Sequence, residues 1–289
     1  MRIVDAIPLL LLLALAAHGP HTAAVEPVKL IVDTDIGGGG CNDVDDVVAV
    51  CISHALERRG EAELLAIVQN TAPLQCAGAI SVLNTWYRRE DLPIGAYDIA
   101  TSGATLELEA PLPYVVELAD HWPSAVKNST QVPDAVTVYR QALAVQPARS
   151  VAISSIGIHT NLAALLRSGP DAHSPLSGVE LVRQKVKLLA VMGGKYGGQH
   201  GSHSGGPACN LCGGGKNAHN ARTASAASSF VAAHWPPESQ IIWSGFEVVR
   251  LSPARARSYP VRATELLPAG RPGDSLVLSV NRDGDRLDP

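Results

Sequence analysis

Apolar positions along the chain fall into short runs, separated by longer segments with a helical period. Residues 28–32 and 64–69 read as buried strands, 44–59 and 75–90 as helices, and 93–95 as a short third strand. Asp43 stands where the helix over 44–59 wants its N-cap. Further along, 132–145 and 160–167 read as helices and 150–154 as a strand. The run 186–192 is the most apolar strand, 221–234 a helix of small residues, and 240–243 a final strand. Strand and helix alternating this often predict an α/β fold, a mostly parallel sheet flanked by helices on both faces. No repeat or long linker interrupts the pattern, so 27–289 is expected to form a single domain. Its tail, from about residue 252, dissolves into Pro, Arg and Gly.

Ligands in such sheets gather at the carboxyl ends of the strands. Those ends carry Asp33-Thr34-Asp35, Gln69-Asn70-Thr71, Ser154-Ser155 and Met192-Gly193-Gly194, which would line one crevice.

The chain has 289 residues, of which 46% are hydrophobic but only 4% aromatic, so Ala, Val, Leu and Ile must fill the interior. A net charge of −4 without any basic run argues against a nucleic-acid partner, while leaving a phosphate-free nucleoside open as ligand. Arg2, the apolar run 7–17 and Thr22-Ala23-Ala24 form the pattern of a secretory signal peptide over 1–24. The mature chain is therefore expected to be secreted and to have no membrane partner. Asn128-Ser129-Thr130 would then be a glycosylation sequon, making the product a glycoprotein. The five cysteines, Cys41, Cys51, Cys76, Cys209 and Cys212, leave at least one thiol unpaired within the chain.

The strongest chemical signal is the aspartate cluster: Asp33 and Asp35 directly after an apolar strand, then Asp43, Asp45 and Asp46. Carboxylates crowded at one strand exit repel one another unless a cation lies among them, and their oxygens suit a hard ion, Ca²⁺ or Mg²⁺. An EF-hand requires ligands on alternate residues and a glutamate at the twelfth place, and this spacing does not provide them. A phosphatase opening on Asp-x-Asp normally has Thr or Val where Gly37 stands. Nor does Gly-Lys-Ser/Thr follow Gly37-Gly38-Gly39-Gly40, so this is not a phosphate loop.

With Asp33-Thr34-Asp35-Ile36-Gly37 followed by Asp45-Asp46, the chain resembles the nucleoside hydrolase family, of the inosine–uridine-preferring type. The resemblance continues through Asn70, Gly157-Ile158-His159-Thr160-Asn161-Leu162 and Val191-Met192-Gly193-Gly194, covering about residues 28–250. It implies a Rossmann-like nucleoside hydrolase architecture and calcium-dependent hydrolysis of ribonucleosides to ribose and free base. By position it implies that Asp35 binds calcium and accepts a proton from the attacking water. Asp46, the backbone carbonyl of Thr160 and a late aspartate, Asp274, would complete the metal shell. Asp45, Asn70 and Asn210 would hold the sugar, with Met192 beneath it. A homo-oligomer stays open as a partner. The chain departs from the family pattern in a longer loop at 39–42 and in Ala208, where glutamate usually precedes the asparagine matched to Asn210. Those departures keep two rivals in view, a catalytically silent calcium- or sugar-binding relative and a metal-dependent phosphoesterase.

His200, His203, Cys209, Cys212 and His219 match no strong zinc template, and a disulfide from Cys41 to Cys209 or Cys212 is expected instead. His159 is singled out for its place beside Thr160, with packing as its ordinary role. Trp86, Trp122, Trp235 and Trp243 are expected to serve packing rather than base stacking.

Overall fold

The structure, a computed structural model, describes residues 26–38, 44–193, 211 and 217–244. Six strands form one sheet: β1 (Val28–Thr34), β2 (Ala62–Gln69), β3 (Ile94–Ala96), β4 (Val151–Ser155), β5 (Val186–Met192) and β6 (Gln240–Ser244). All five neighbouring pairs are parallel, in the order β3-β2-β1-β4-β5-β6. The chain winds outward from β1 to β3, returns to β4 beside β1, and winds outward again to β6. The loops leaving β1 and β4 therefore diverge, opening the crevice where doubly wound sheets bind ligands.

Alternation along β1 sets the layers. Ile31 enters a core with α5 (Ala135–Ala144), α6 (Thr160–Arg167), α7 (Gly178–Lys185) and α8 (Ala218–His234). Val32 enters the opposite core, with α1 (Asp45–Arg58), α2 (Gln75–Trp86) and α4 (Pro113–His121). The short α3 (Ile99–Ser102) follows β3.

Most expected elements are present with shifted ends. α1 starts at Asp45 after Val44, with no side-chain cap bond, and Asp43 lies outside the described residues. α2 stops at Trp86, and Arg88 beyond it sits at φ 60°. The helix expected over 132–145 begins at Ala135 because Asp134 caps it, accepting from the Thr137 amide at 3.0 Å. α3, α4 and α7 were not expected, although Pro113 at the start of α4 and the Ser177/Glu180 capping box of α7 are starting signals. Trp122 and Trp243 are more than a third exposed, and the Trp122 ring packs edge-on against that of Trp86 with centroids 6.5 Å apart. Cys51 and Cys76 are buried free thiols, and the expected Cys41 bridge lies outside the described residues. No helix among the described residues is long and apolar enough to cross a membrane.

One buried cation anchors the α5–α7 side. Arg140, 2% exposed, pairs with Asp171 (Nε to Oδ2 2.7 Å) and donates to the Ser168 hydroxyl and to the Ser174 and Leu176 carbonyls, each at 2.9 Å. Arg140→Ala would strand those acceptors and is expected to cost about 3 kcal/mol of stability in chemical denaturation. A loss near zero would show that water replaces the guanidinium.

Candidate active site

The Asp-Thr-Asp segment divides its side chains between the two faces of the sheet. Asp33, fully buried, accepts from the Tyr139 hydroxyl of α5 at 2.7 Å, from the Asn70 amide at 2.8 Å and from the Asn161 amide at 3.3 Å. Burial raises its carboxyl from an ordinary 3.8 to about 7, although all three hydrogen bonds pull the other way. Asp33 is thus a hub joining β1, the exit of β2, α5 and α6, rather than a group facing the crevice.

The Thr34 hydroxyl points to the other face, where it donates to Asp46 and accepts from the Ile36 amide at 3.1 Å. That bond fixes the first turn of α1 against the end of β1. Asp35 and Asp46 then meet: both are at least nine-tenths buried, and their side chains are hydrogen-bonded. Burial, then the Asp46 charge and the bond to it, then the Asp45 charge hold the Asp35 carboxyl well above the usual carboxylate range. Two buried acids in contact cannot both ionise in a dry site, so they share a proton or a cation. Asp45, one residue away, is exposed at the start of α1.

The strand exits close around this pair. The Asn70 amide N–H donates to the Thr34 carbonyl (2.9 Å), and the Ile156 N–H to the Asp33 carbonyl (2.8 Å). α6 reaches across β1 to β2: the Thr160 hydroxyl donates to the Asn70 carbonyl at 2.7 Å and the Asn161 amide to the Gln69 carbonyl at 2.9 Å. Gly157 leaves room for this closure. A Cβ there would lie 2.6 Å from both the Asn70 Nδ2 and the Asp35 amide nitrogen. The Asn70 Oδ1 is buried with no hydrogen-bond partner among the described residues, a lone pair at the heart of the site. Met192 ends β5 partly buried, paired in register with Ser244. His159 precedes α6 fully buried. Neither ring nitrogen has a partner, and burial pushes it down to about 4, so it is neutral. Its ring lies 6.3 Å from that of Trp243.

The structure therefore brings Asp35, Asp46, Asn70 and Thr160 to one place, with Asp45 beside them and Met192 two strands away. Asn210 and Asp274 lie outside the described residues. Among the described residues the carboxylates in contact are a pair, Asp43 lying outside them, and no three His, Cys, Asp or Glu side chains there form a metal-holding group. In kind, the donors suit a hard cation: two carboxylates that repel when ionised and an orphan amide oxygen nearby. In number they supply part of a shell of six to eight oxygens. Tyr139, Asn161 and the bracing role of Thr34 were not read from the sequence. Asn161 stood in the quoted motif without a role, while nothing local marks Tyr139.

No family model matches the chain, and no curated protein matches it in sequence. Solved structures do match. The effector protein XOO4466 is 18% identical, with a TM-score of 0.50 over 83% of this chain and 61% of that one. The type III effector XopQ, solved with adenosine diphosphate ribose, is 19% identical over the same shares, also at 0.50. The fold is the one these effectors have. This chain spans 61% of their length. An inosine-uridine preferring nucleoside hydrolase from Bacillus anthracis also matches, 16% identical over 80% of this chain and 72% of that one, at 0.48.

Without a cation, the raised carboxyls give an inverted pH dependence. Between about 4 and about 7 an unfolded Asp33 is ionised while the folded one holds its proton, so stability falls as pH rises through that window. Asp35, raised for like reasons, adds to the same trend. His54 and His159, held down at about 4 by burial, act in the opposite sense, so the carboxyl contribution is read as the gap in melting temperature between chelated wild type and Asp35→Asn, which should widen from about pH 5 to about pH 7.5. Asp35→Asn should gain about 1–2 kcal/mol at the higher pH by removing one acid of the pair. A loss of stability in that variant at the higher pH would mean that the pair does not repel.

Proposed function

We propose that this protein hydrolyses the N-glycosidic bond of ribonucleosides, releasing ribose and free base, with Ca²⁺ held between Asp35 and Asp46. The observation that carries the reading is the buried contact of those two carboxylates at the crevice between β1 and β4. Surface charges or simple helix capping would not place them there. The Asp-x-Asp-x-Gly and Asp-Asp motifs, in order with Asn70 and Gly157 to Asn161, support it.

In this reading the ion supplies positive charge that keeps both carboxylates ionised and polarises the attacking water. Asp35 accepts the proton of that water as its oxygen bonds to the anomeric carbon. The carbon–nitrogen bond breaks with its electron pair leaving on the base, which takes up a proton. Positive charge develops on the sugar, and nearby carboxylates stabilise it. Asp45, exposed at the head of α1, would hold ribose hydroxyls, and the unpartnered Asn70 Oδ1 would accept from one. Met192 would lie beneath the sugar. We assign Asn210 to the sugar and the Thr160 carbonyl and Asp274 to the ion on the resemblance alone, and the export of the chain on the leader pattern over 1–24.

A second reading is a silent binder of a ribosyl ligand. It is favoured by the ADP-ribose in one effector of this fold. Purified protein assayed with inosine, uridine and a nitrophenyl riboside separates the two. Hydrolysis that chelator stops and calcium restores is expected, and Asp35→Ala should lower kcat on the order of 10²–10⁴-fold. Ribosyl binding without turnover in the calcium-loaded protein would establish the silent reading. Phosphate release from a phosphoester would replace both.

A further inference from the structure

We infer that Tyr114, on α4, is a positioning residue for Asp35; the inference rests on the reading of Asp35 as proton acceptor. Asp35 opens a tight turn in which the Gly38 amide donates to the Asp35 carbonyl at 2.8 Å. Gly37, the third residue of that turn, has φ +71°, a conformation that favours glycine. Each of the three amides after Asp35 has an assigned acceptor. The Ile36 amide uses the Thr34 hydroxyl and the Gly38 amide uses the turn itself, both local. The Gly37 amide alone reaches a distant element, donating to the Tyr114 hydroxyl at 3.0 Å across 77 positions of sequence.

α4 grips the same glycine twice more. The Leu112 amide donates to the Gly37 carbonyl at 3.2 Å. Val115 packs so closely that a Cβ on Gly37 would lie 2.0 Å from its Cγ2. One glycine is thus held through its amide, its carbonyl and its bare Cα by three residues at the start of another helix, Leu112, Tyr114 and Val115.

The clamp is itself fixed. The Tyr114 ring packs against the core shared by β1, α1 and α2, and its hydroxyl meets the turn. Ahead of α4, the chain is tied to the start of α8. The Glu107 amide donates to the Asn220 Oδ1 at 2.7 Å, and the Thr223 hydroxyl to the Thr105 carbonyl at 3.1 Å. A turn free to rotate would move the Asp35 carboxylate relative to Asp46 and the crevice. A misplacement of about 1 Å costs on the order of 10²-fold in rate.

The test compares Tyr114→Phe with Leu118→Ala in the full chain. The first removes the acceptor while keeping the ring, and the second loosens α4 away from the turn. Tyr114→Phe is expected to lower nucleoside kcat about 10- to 100-fold at nearly unchanged KM and to speed Gly37 amide exchange at least about tenfold. Leu118→Ala should lose stability yet keep kcat and Gly37 exchange within about twofold. Unchanged kcat in Tyr114→Phe, or losses of kcat that simply follow stability in both variants, overturns the inference. If the wild-type protein hydrolyses no nucleoside, the reading of Asp35 fails on its own, and Gly37 exchange decides the clamp. Acceleration confined to Tyr114→Phe supports it, and equal exchange in all three proteins refutes it.

Discussion

Two carboxyl groups pressed together out of water are the constraint around which this molecule is arranged. Asp35 and Asp46 each carry the cost of desolvation, and their contact adds the cost of like charge. A fold keeps such a contact at the expense of stability. It persists because the surrounding structure over-determines it: β1 and its turn deliver Asp35, while Thr34 pins Asp46 from the adjoining helix. A divalent ion bound there would convert this liability into a site, because its charge would favour the ionised form of both groups at once.

The sheet supplies the rest of the geometry. Reversing the winding direction between β1 and β4 leaves a gap above two neighbouring strand ends, and α6 bridges it by bonding to the carbonyls that end β2. Asp33 sits underneath as a filled hub, its carboxylate taken up by Tyr139, Asn70 and Asn161. Of the two aspartates flanking Thr34, Asp33 stiffens the floor and Asp35 meets Asp46. Alternation alone would send both to one face; they part because β1 ends at Thr34 and Asp35 lies in the turn beyond it.

Much of this was readable along the chain. Val28 to Val32 announces a buried strand, and the polar residues directly after it announce a strand exit. The rhythm of later segments implies a parallel sheet. Asp35, Asp46 and Asn70 were found because they lie in compact motifs at those exits. Tyr139 and Tyr114 were not, because their partners are more than 70 positions away and hydroxyl-to-backbone or hydroxyl-to-carboxylate bonds leave no local pattern. α4 escaped notice because it is short and follows a stretch, 104–112, without regular structure. Asp33 is turned away from the pair for a simple reason: closeness in sequence does not fix direction, and its side chain points through the sheet to the other side, while Asp43 lies outside the described residues.

The account stands or falls on what lies between Asp35 and Asp46 when calcium is supplied. Crystals grown with calcium at neutral pH, measured for anomalous scattering, give the most direct answer. The account predicts one ion with an oxygen of each carboxylate about 2.3–2.6 Å away, and the two side chains no longer bonded to each other. Carboxyls still in mutual contact, with no ion between them at saturating calcium, would contradict it.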